Sequence, residues 1–269
     1  MMGPAMERIL IGTSGYSYED WVGPVYPQGT PKNAFLAKYA EKFPIVELNF
    51  SYYAQPNSRT IQGMIDATPE GFLFALKAHS SMTHEIGPAW ESDIQTFRRG
   101  IQPLVDRGRL AAVLLQFPYS FAYTPESRRR LALLCDALKD LPLAVEFRKS
   151  EWMQEQVLAG LRERGTALVS VDEPALPKLL KPTAEVTAEF SYVRFHGRNA
   201  KNWWTGDNAS RYDYLYDAGE LGEWVGRVKA ILEKARMIMI FFNNHRRGMA
   251  ARNALELREL LLAQGVIGA

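Results

Sequence analysis

Pairs of charged and polar side chains recur at the ends of apolar, strand-like runs in this 269-residue sequence. The members of a pair are two residues apart, as are Glu47 and Asn49, or Glu146 and Arg148. Side chains with that spacing point to the same side of a strand. A carboxylate can exchange protons, and an arginine fork can hold a carboxylate or a phosphate. The pairs would form one site if the strands lay parallel.

Further runs end in the same way. Lys77 and His79 end the third run, and Arg194 and His196 end the seventh, with Arg198 just beyond. Other polar residues at strand ends are Gln116, Asp172, Asn243, Asn244 and His245. Cations are in slight excess among these charges, which favours an anionic substrate. Because unpaired buried ions are costly, an inert protein would tolerate few charges crowded at one rim.

An alternative assigns these charges to internal ion pairs. In that interpretation Arg148 pairs with Glu146 or Glu47, and Arg194 pairs with Asp172. The sequence alone leaves both interpretations open.

Two loops are candidates for a phosphate site. The segments 196–201 and 243–248 follow the seventh and eighth runs, and a helix predicted near Met249 would offer free N–H groups. In this hypothesis Arg194 and Arg198 anchor the anion.

Proton transfer is expected from Glu146 or Glu47 together with His196, whose imidazole titrates near neutrality. Lys77 or Arg148 would stabilise developing negative charge. A metal bound by these carboxylates is chemically feasible, but there is no HExxH or HxH spacing and nearby arginines would oppose a dication. We therefore expect no metal and no other cofactor. Aromatic residues in the loops after the first two strands either plug the barrel end or wall a pocket, and they are Tyr16, Tyr18, Trp21, Tyr26, Tyr52 and Tyr53. Trp203 and Trp204, after the seventh strand, are candidates for a lid.

Eight β-rich apolar runs would position these residues. They are Arg8–Gly12, Ile45–Asn49, Phe72–Ala78, Leu110–Phe117, Leu143–Phe147, Ala167–Val171, Tyr192–His196 and Met237–Phe242. Segments with a 3.6-residue apolar period lie between them, and a short apolar segment near Leu176–Leu180 takes that place after the sixth run. The alternation predicts an α/β fold with parallel strands, a single (β/α)8 TIM-type barrel over residues 1–269. Residues 1–7 are expected to form a disordered start.

An open doubly wound sheet is the alternative architecture. It would normally carry a glycine-rich phosphate turn after the first strand. Gly12-Thr13-Ser14-Gly15 is too short for either nucleotide fingerprint, so the barrel is favoured.

Composition limits the function classes. Thirty-two basic and thirty acidic residues leave a net charge of +2, so there is no global field for nucleic acid or a membrane surface. One cysteine excludes an internal disulfide framework. The apolar runs are too short to span a bilayer and the start lacks an export signal, so we expect a cytoplasmic protein without membrane contact.

Seven segments, spread from residue 12 to residue 254, resemble the YecE-like family, which is the domain of unknown function 72. The segments are GTSGYSYEDWVGPVYP from Gly12, VELNFSYYAQP from Val46, FALKAHSSMTH from Phe74, LLQFPYSF from Leu114, AVEFRKSEW from Ala144, YVRFHGR from Tyr192 and FFNNHRRGMAARNA from Phe241. The resemblance implies a single TIM-type barrel and no secure activity. It also implies candidate site positions, which are Glu47, Asn49, Tyr53, Lys77, His84, Gln116, Glu146, Arg148, Arg194, His196, Arg198, Asn243 and Asn244.

The leading hypothesis is an enzyme that uses acid–base chemistry, as a hydrolase or lyase, on a small anionic and phosphorylated substrate. Its catalytic residues would be Glu47, Lys77, Glu146 and His196, and the other nine candidates would bind substrate. A metal-dependent phosphodiesterase or nuclease is the second hypothesis. A catalytically silent barrel that binds a ligand or RNA is the third. The oligomeric state is not predicted.

Overall fold

Eight parallel strands close into a barrel in the computed structural model, which describes residues 8–85 and 87–268. The expected fold class is therefore confirmed, and the expectation for residues 1–7 lies outside the described residues. The strands are β1 Ile9–Ser14, β2 Ile45–Leu48, β3 Leu73–Lys77, β4 Leu110–Gln116, β5 Leu143–Glu146, β6 Ala167–Asp172, β7 Phe190–Phe195 and β8 Met237–Phe242.

Closure depends on β1, which pairs in parallel with both β2 and β8. Thr13 lies opposite Val46 on one side and opposite Phe242 on the other. Every strand has a neighbour on each side, and the strands are almost entirely buried. Because both faces of the sheet are covered, the strands read as apolar runs rather than as alternating patterns.

Helices cover the outside of the barrel. They are α1 Phe35–Ala40, α2 Phe50–Tyr53, α3 Ser58–Asp66, α4 Ser80–Thr83, α5 Trp90–Asp106, α6 Pro125–Ala137, α7 Glu155–Glu163, α8 Asn208–Arg211, α9 Ala218–Leu232 and α10 Met249–Ala263. Short 3₁₀ turns occupy Glu19–Trp21, Lys32–Ala34, Ser150–Trp152 and Arg246–Gly248. Within 8–85 and 87–268, no helix combines the length and apolar character needed to cross a bilayer.

The connection from β6 to β7 differs from the other connections. The apolar segment Leu176–Leu180 forms a turn, and residues 173–189 contain no helix. Pro174, Pro177 and Pro182 each remove a backbone donor, which disfavours a helix there. Asp172, at the end of β6, accepts a hydrogen bond from Trp224 of α9.

Candidate functional site

A cavity of about 550 Å³ opens at the carboxyl ends of the strands, and we call it the mouth cavity. Its volume falls within the roughly 300–1,000 Å³ of small-molecule sites. It is lined by Tyr18, Asn49, Tyr52, Tyr53, Lys77, His84, Gln116, Pro118, Tyr119, Arg148, Leu179, Arg194, Trp203, Trp204, Arg211, Tyr212, Asn243 and His245. The structure thus brings together eight of the expected site residues, namely Asn49, Tyr53, Lys77, His84, Gln116, Arg148, Arg194 and Asn243.

Three other expected residues, Glu47, Glu146 and His196, form the floor of the mouth cavity and have no exposed surface. Arg194 joins the two carboxylates, donating from Nη1 to Glu146 at 2.6 Å and from Nη2 to Glu47 at 2.7 Å. The hydroxyl of Tyr192 donates to the other oxygen of Glu47 at 2.7 Å. Because both carboxylates are buried and already accept hydrogen bonds, a ligand in the mouth cavity would lie above them and would not contact them directly.

Glu146 is ionised in this floor. Burial by itself favours the neutral acid, but the charges of Arg148 and Arg194, together with His196, outweigh burial and hold the pKa of Glu146 well below its ordinary value. Arg148 Nη2 lies 2.9 Å from Glu146 Oε1, and its Nη1 lies 3.5 Å from Glu173. A carboxylate in this state accepts hydrogen bonds and balances charge, and it has no proton to donate near neutral pH.

His196 is held as a neutral imidazole. Its Nε2 lies 3.2 Å from Glu146 Oε1, and its Nδ1 lies 3.1 Å from the amide nitrogen of Asn243. The amide nitrogen of Asn243 can only donate, so Nδ1 of His196 accepts and the proton resides on Nε2. Burial, followed by the charge of Arg148, lowers the pKa of His196 to about 4. With both ring nitrogens engaged, His196 orients Glu146 rather than reaching the mouth cavity.

Lys77, the last residue of β3, brings an amine to the mouth cavity. Its Nζ donates to Gln116 Oε1 at 2.7 Å and lies 3.9 Å from the centroid of the Tyr52 ring. Burial, followed by the charge of Arg194, lowers the pKa of Lys77 to about 7. The amine is therefore divided between its charged and uncharged forms near neutral pH.

Arg211, at the end of α8, is a lining residue that the sequence reasoning missed. Its guanidinium carbon lies 6.0 Å from the Trp203 ring centroid, and its buried Nε has no hydrogen-bond partner. Among the described residues, Arg211 forms no ion pair. It lies in the long segment between β7 and α9, away from any strand end, so the spacing rule could not identify it. The sequence feature that could have pointed to Arg211 is the nearby pair of loop aromatics, Trp203 and Trp204.

Two expected substrate-binding residues lie away from the mouth cavity. Arg198 forms a bidentate pair with Asp172 at 2.7 and 2.8 Å and also contacts Glu223 at 2.9 Å. Gly197 has a φ of 88°, which turns the chain after β7, so the two-residue spacing no longer applies to Arg198. Asn244 donates to the carbonyl of Tyr214 and to the Asn253 side chain, each at 2.9 Å.

Asp172 points toward the helix layer. It accepts hydrogen bonds from Tyr216 and from Trp224, each at 2.8 Å, in addition to those from Arg198. The expected pair of Arg194 with Asp172 is therefore wrong, because Arg194 points inward to the carboxylates of the floor. The expected pair of Arg148 with Glu146 is present.

The loop after β8 contributes to the mouth cavity only at its start. Asn243 and His245 line the cavity, whereas residues 246–249 lie outside it. Arg247 pairs with Asp213 at 2.8 Å. The start of α10 therefore lies outside the mouth cavity and borders a separate cavity lined by Arg247, Gly248 and Met249, where the phosphate site stays a prediction.

The aromatic residues have different surroundings. Trp21 and Tyr26 are buried, with Tyr26 stacked on Phe35 of α1 at 4.7 Å, and Tyr16 is partly buried 6.2 Å from Tyr39. Tyr18, Tyr52, Tyr53, Trp203 and Trp204 wall the mouth cavity, together with Tyr119 and Tyr212, which were not anticipated. The outermost rings are Tyr53 and Trp204, which are 72% and 51% exposed.

The charges around the mouth cavity favour an anion. Its lining includes Lys77, Arg148, Arg194 and Arg211, and among the described residues no carboxylate lines it. Arg148 and Arg194 are balanced from below by buried carboxylates, whereas Lys77 and Arg211 are not paired in this way. In the described part of the chain, no three His, Cys, Asp or Glu residues are placed to hold a metal ion.

Comparison with known proteins identifies the family. The model of the family described as "Protein of unknown function DUF72" matches residues 10–267. The chain belongs to the DUF72 family. The UPF0759 protein YunF of Bacillus subtilis (strain 168) is 32% identical over an alignment of 272 positions, which covers 94% of this chain and 94% of that one.

Solved DUF72 structures share the whole fold. A DUF72 protein from Thermotoga maritima is 39% identical with a TM-score of 0.87, over 94% of this chain and 98% of that one. One from Enterococcus faecalis is 30% identical with a TM-score of 0.84, over 94% and 95%. The names of these relatives state no activity, so function has to be argued from the mouth cavity.

Proposed function

We propose that this DUF72 protein is an enzyme that acts on a small anionic substrate in the mouth cavity. One observation carries the proposal. Two cations, Lys77 and Arg211, line a cavity of ligand size, and neither has a carboxylate partner among the described residues. Arg211 would bind the anion, and Arg148 would add to its attraction. A planar guanidinium suits a phosphate or a carboxylate, and both groups fit this part of the proposal.

Lys77 takes the role of proton exchange in this proposal. The expected groups were Glu146 or Glu47 together with His196, but all three lie in the floor, and His196 has both nitrogens engaged. An acid–base group works best with a pKa near the working pH, and the pKa of Lys77 is lowered to about 7. Hydrolysis or elimination is the reaction class that fits such a group without a redox cofactor.

The substrate would also carry a hydroxyl or amide donor. The side-chain oxygen of Asn49 is buried, lacks a hydrogen-bond partner and belongs to a residue that lines the mouth cavity. A buried acceptor without a partner loses free energy, so a donor on the ligand would be favoured there. Phosphorylated hydroxy compounds combine both features.

A second candidate function is binding of a single-stranded nucleic acid segment without turnover. The exposed rings of Tyr53 and Trp204 at the rim favour it, because bases stack on such rings. The metal-dependent hypothesis is less favoured, since Glu146 and Glu47 are committed to Arg194.

Thermal unfolding with added anions tests the proposal. Inorganic phosphate and a panel of sugar and nucleotide phosphates are added to the wild type, with sodium chloride at matched ionic strength as the screening control. A ligand at 100 times its Kd stabilises the fold by about 2.7 kcal/mol. The shift should disappear in Arg211→Ala and persist in Arg129→Ala, an exposed arginine on α6.

Two results contradict the proposal. One is an unchanged midpoint with every anion in the panel. The other is a shift that survives in Arg211→Ala. Salt-sensitive binding of an oligonucleotide, weakened in Trp204→Ala and without phosphate binding, would favour the second candidate function instead.

A further inference from the structure

We propose that the amine of Lys77 forms an imine with the carbonyl carbon of an aldehyde or ketone that also carries an anionic group. This inference rests on the anion site of the proposed function and names the substrate class for the mouth cavity, and it gives the Lys77 amine a nucleophilic role in place of proton exchange.

The position of the amine is the first argument. Lys77 ends β3, so its backbone is fixed by the barrel, and Gln116 at the end of β4 holds Nζ at 2.7 Å. The Tyr52 ring covers another side of Nζ at 3.9 Å. A nucleophile on a strand end is placed more firmly than one on a loop, and it still reaches the mouth cavity.

The surroundings of the amine are the second argument. Among the described residues, Lys77 has no carboxylate within ion-pair distance and is the one lysine that lines the mouth cavity. Lys38 pairs with Glu41 at 2.7 Å, and Lys149 lies 3.6 Å from Glu151. A partnered ammonium keeps its proton, whereas burial, followed by the charge of Arg194, favours the uncharged form of the Lys77 amine and lowers its pKa. Lys77 therefore has the uncharged form that nucleophilic addition requires.

The binding geometry supplies the third argument. Arg211 and Lys77 both line the mouth cavity, one as an unpaired guanidinium and one as the amine. A ligand anchored by its anionic group at Arg211 would leave its other end free to approach Nζ. A substrate with an anion at one end and a carbonyl at the other satisfies both residues.

The chemical step balances without an added oxidant or reductant. The lone pair of uncharged Nζ forms a bond to the carbonyl carbon, and the electron pair of the carbon–oxygen π bond moves to oxygen. Oxygen gains a proton and nitrogen loses one, giving a carbinolamine. Loss of water then forms the carbon–nitrogen double bond, so that amine and carbonyl become imine and water. The protonated imine withdraws electrons from the adjacent carbon, which suits proton removal there.

Borohydride trapping tests the inference. The full chain is incubated at neutral pH with pyruvate, glyoxylate or dihydroxyacetone phosphate, and sodium borohydride then reduces any imine to a stable secondary amine. Intact mass and peptide mapping should find one adduct per chain on Lys77. Because far more of Lys77 than of an ordinary lysine is uncharged at this pH, its label should exceed that on exposed Lys42 by about tenfold or more.

The control variants are Lys77→Arg and Lys42→Arg, each checked by thermal unfolding. The single adduct should vanish in Lys77→Arg and persist in Lys42→Arg. Absence of an adduct with all three carbonyl compounds, or label spread evenly over exposed lysines and unchanged in Lys77→Arg, overturns the inference. If no adduct forms on Lys77 but phosphate still stabilises the fold through Arg211, the imine inference has failed and the proposed anion site stands. If no adduct forms and phosphate has no effect either, both have failed.

Discussion

The guanidinium of Arg194 donates to the carboxylate of Glu146 at 2.6 Å, and both side chains are buried inside the barrel. The bond joins β7 to β5, and the second fork of Arg194 reaches Glu47 on β2. Arg194 and Arg148 together balance the charges of the two floor carboxylates, Glu47 and Glu146. Removing one of these charges would leave another charge buried without its partner, which is costly in free energy of unfolding.

Glu146→Gln should destabilise the protein. The change leaves Arg148 and Arg194 buried next to a neutral amide, and breaking a buried pair costs about 3–5 kcal/mol. Thermal unfolding near pH 7 measures the loss. Glu126→Gln is the matched control, since Glu126 is 75% exposed and pairs with Arg130 across one helical turn. A loss for Glu146→Gln no larger than that for the control would show that the floor does not depend on this charge.

Lys77→Met should stabilise the protein, and the gain should depend on pH. The pKa of Lys77 is about 7 when folded and near its ordinary 10.5 when unfolded. The wild type therefore bears the full cost of the buried charge below pH 7, and that cost disappears as pH rises from 7 to 10.5. The gain should be largest near pH 6 and should shrink by a few kcal/mol toward pH 10.5, at about 1.4 kcal/mol for each unit of pKa.

Denaturant unfolding of wild type and Lys77→Met across this pH range measures the difference. Lys38→Met, at an exposed helix position, should change stability by a small amount throughout. A pH-independent difference for Lys77→Met would contradict a lowered pKa for this amine.

Asp172→Asn should lower stability without changing anion binding. Asp172 accepts hydrogen bonds from Arg198, Tyr216 and Trp224, all outside the mouth cavity. Losing the charge should cost about 2–3 kcal/mol of unfolding free energy, because hydrogen bonds to charged groups are the stronger ones. Calorimetric titration with inorganic phosphate below the unfolding temperature should give the wild-type Kd. A weakened Kd in a variant that is still folded would return Arg198 to the binding residues.

The barrel could be predicted from sequence because its strands are apolar throughout and repeat at regular intervals. Strand limits differ by up to two residues. The largest differences are at β1, where Thr13 and Ser14 continue a strand expected to end at Gly12, and at β7, which begins at Phe190 rather than Tyr192. Both polar side chains of β1 are buried, which an apolar pattern does not reveal. The short apolar segment Leu176–Leu180 after β6 forms a turn, and the prolines before, within and after it disfavour a helix.

The site was harder to predict than the fold. The polar residues at the ends of the apolar runs included Lys77, Gln116 and Arg148, which do line the mouth cavity. The alternation of side chains along a strand fixes the side to which such residues point. It could not find that Arg194 reaches Glu47, since these residues are 147 positions apart and meet only because the barrel closes. It also could not separate Arg198, which turns outward after Gly197, from Arg211, which lines the mouth cavity from the end of α8.

The most direct test of the central claim is the titration of the Lys77 amine with and without an anion. Acetic anhydride labels uncharged amines, and peptide mass spectrometry gives the extent of labelling at Lys77 from pH 5 to pH 10. We expect a midpoint near pH 7 in chloride. Inorganic phosphate, bound beside the amine, should favour its charged form and move the midpoint to higher pH in the wild type but not in Arg211→Ala. A midpoint near the ordinary lysine value of about 10.4, unmoved by phosphate, would contradict the account.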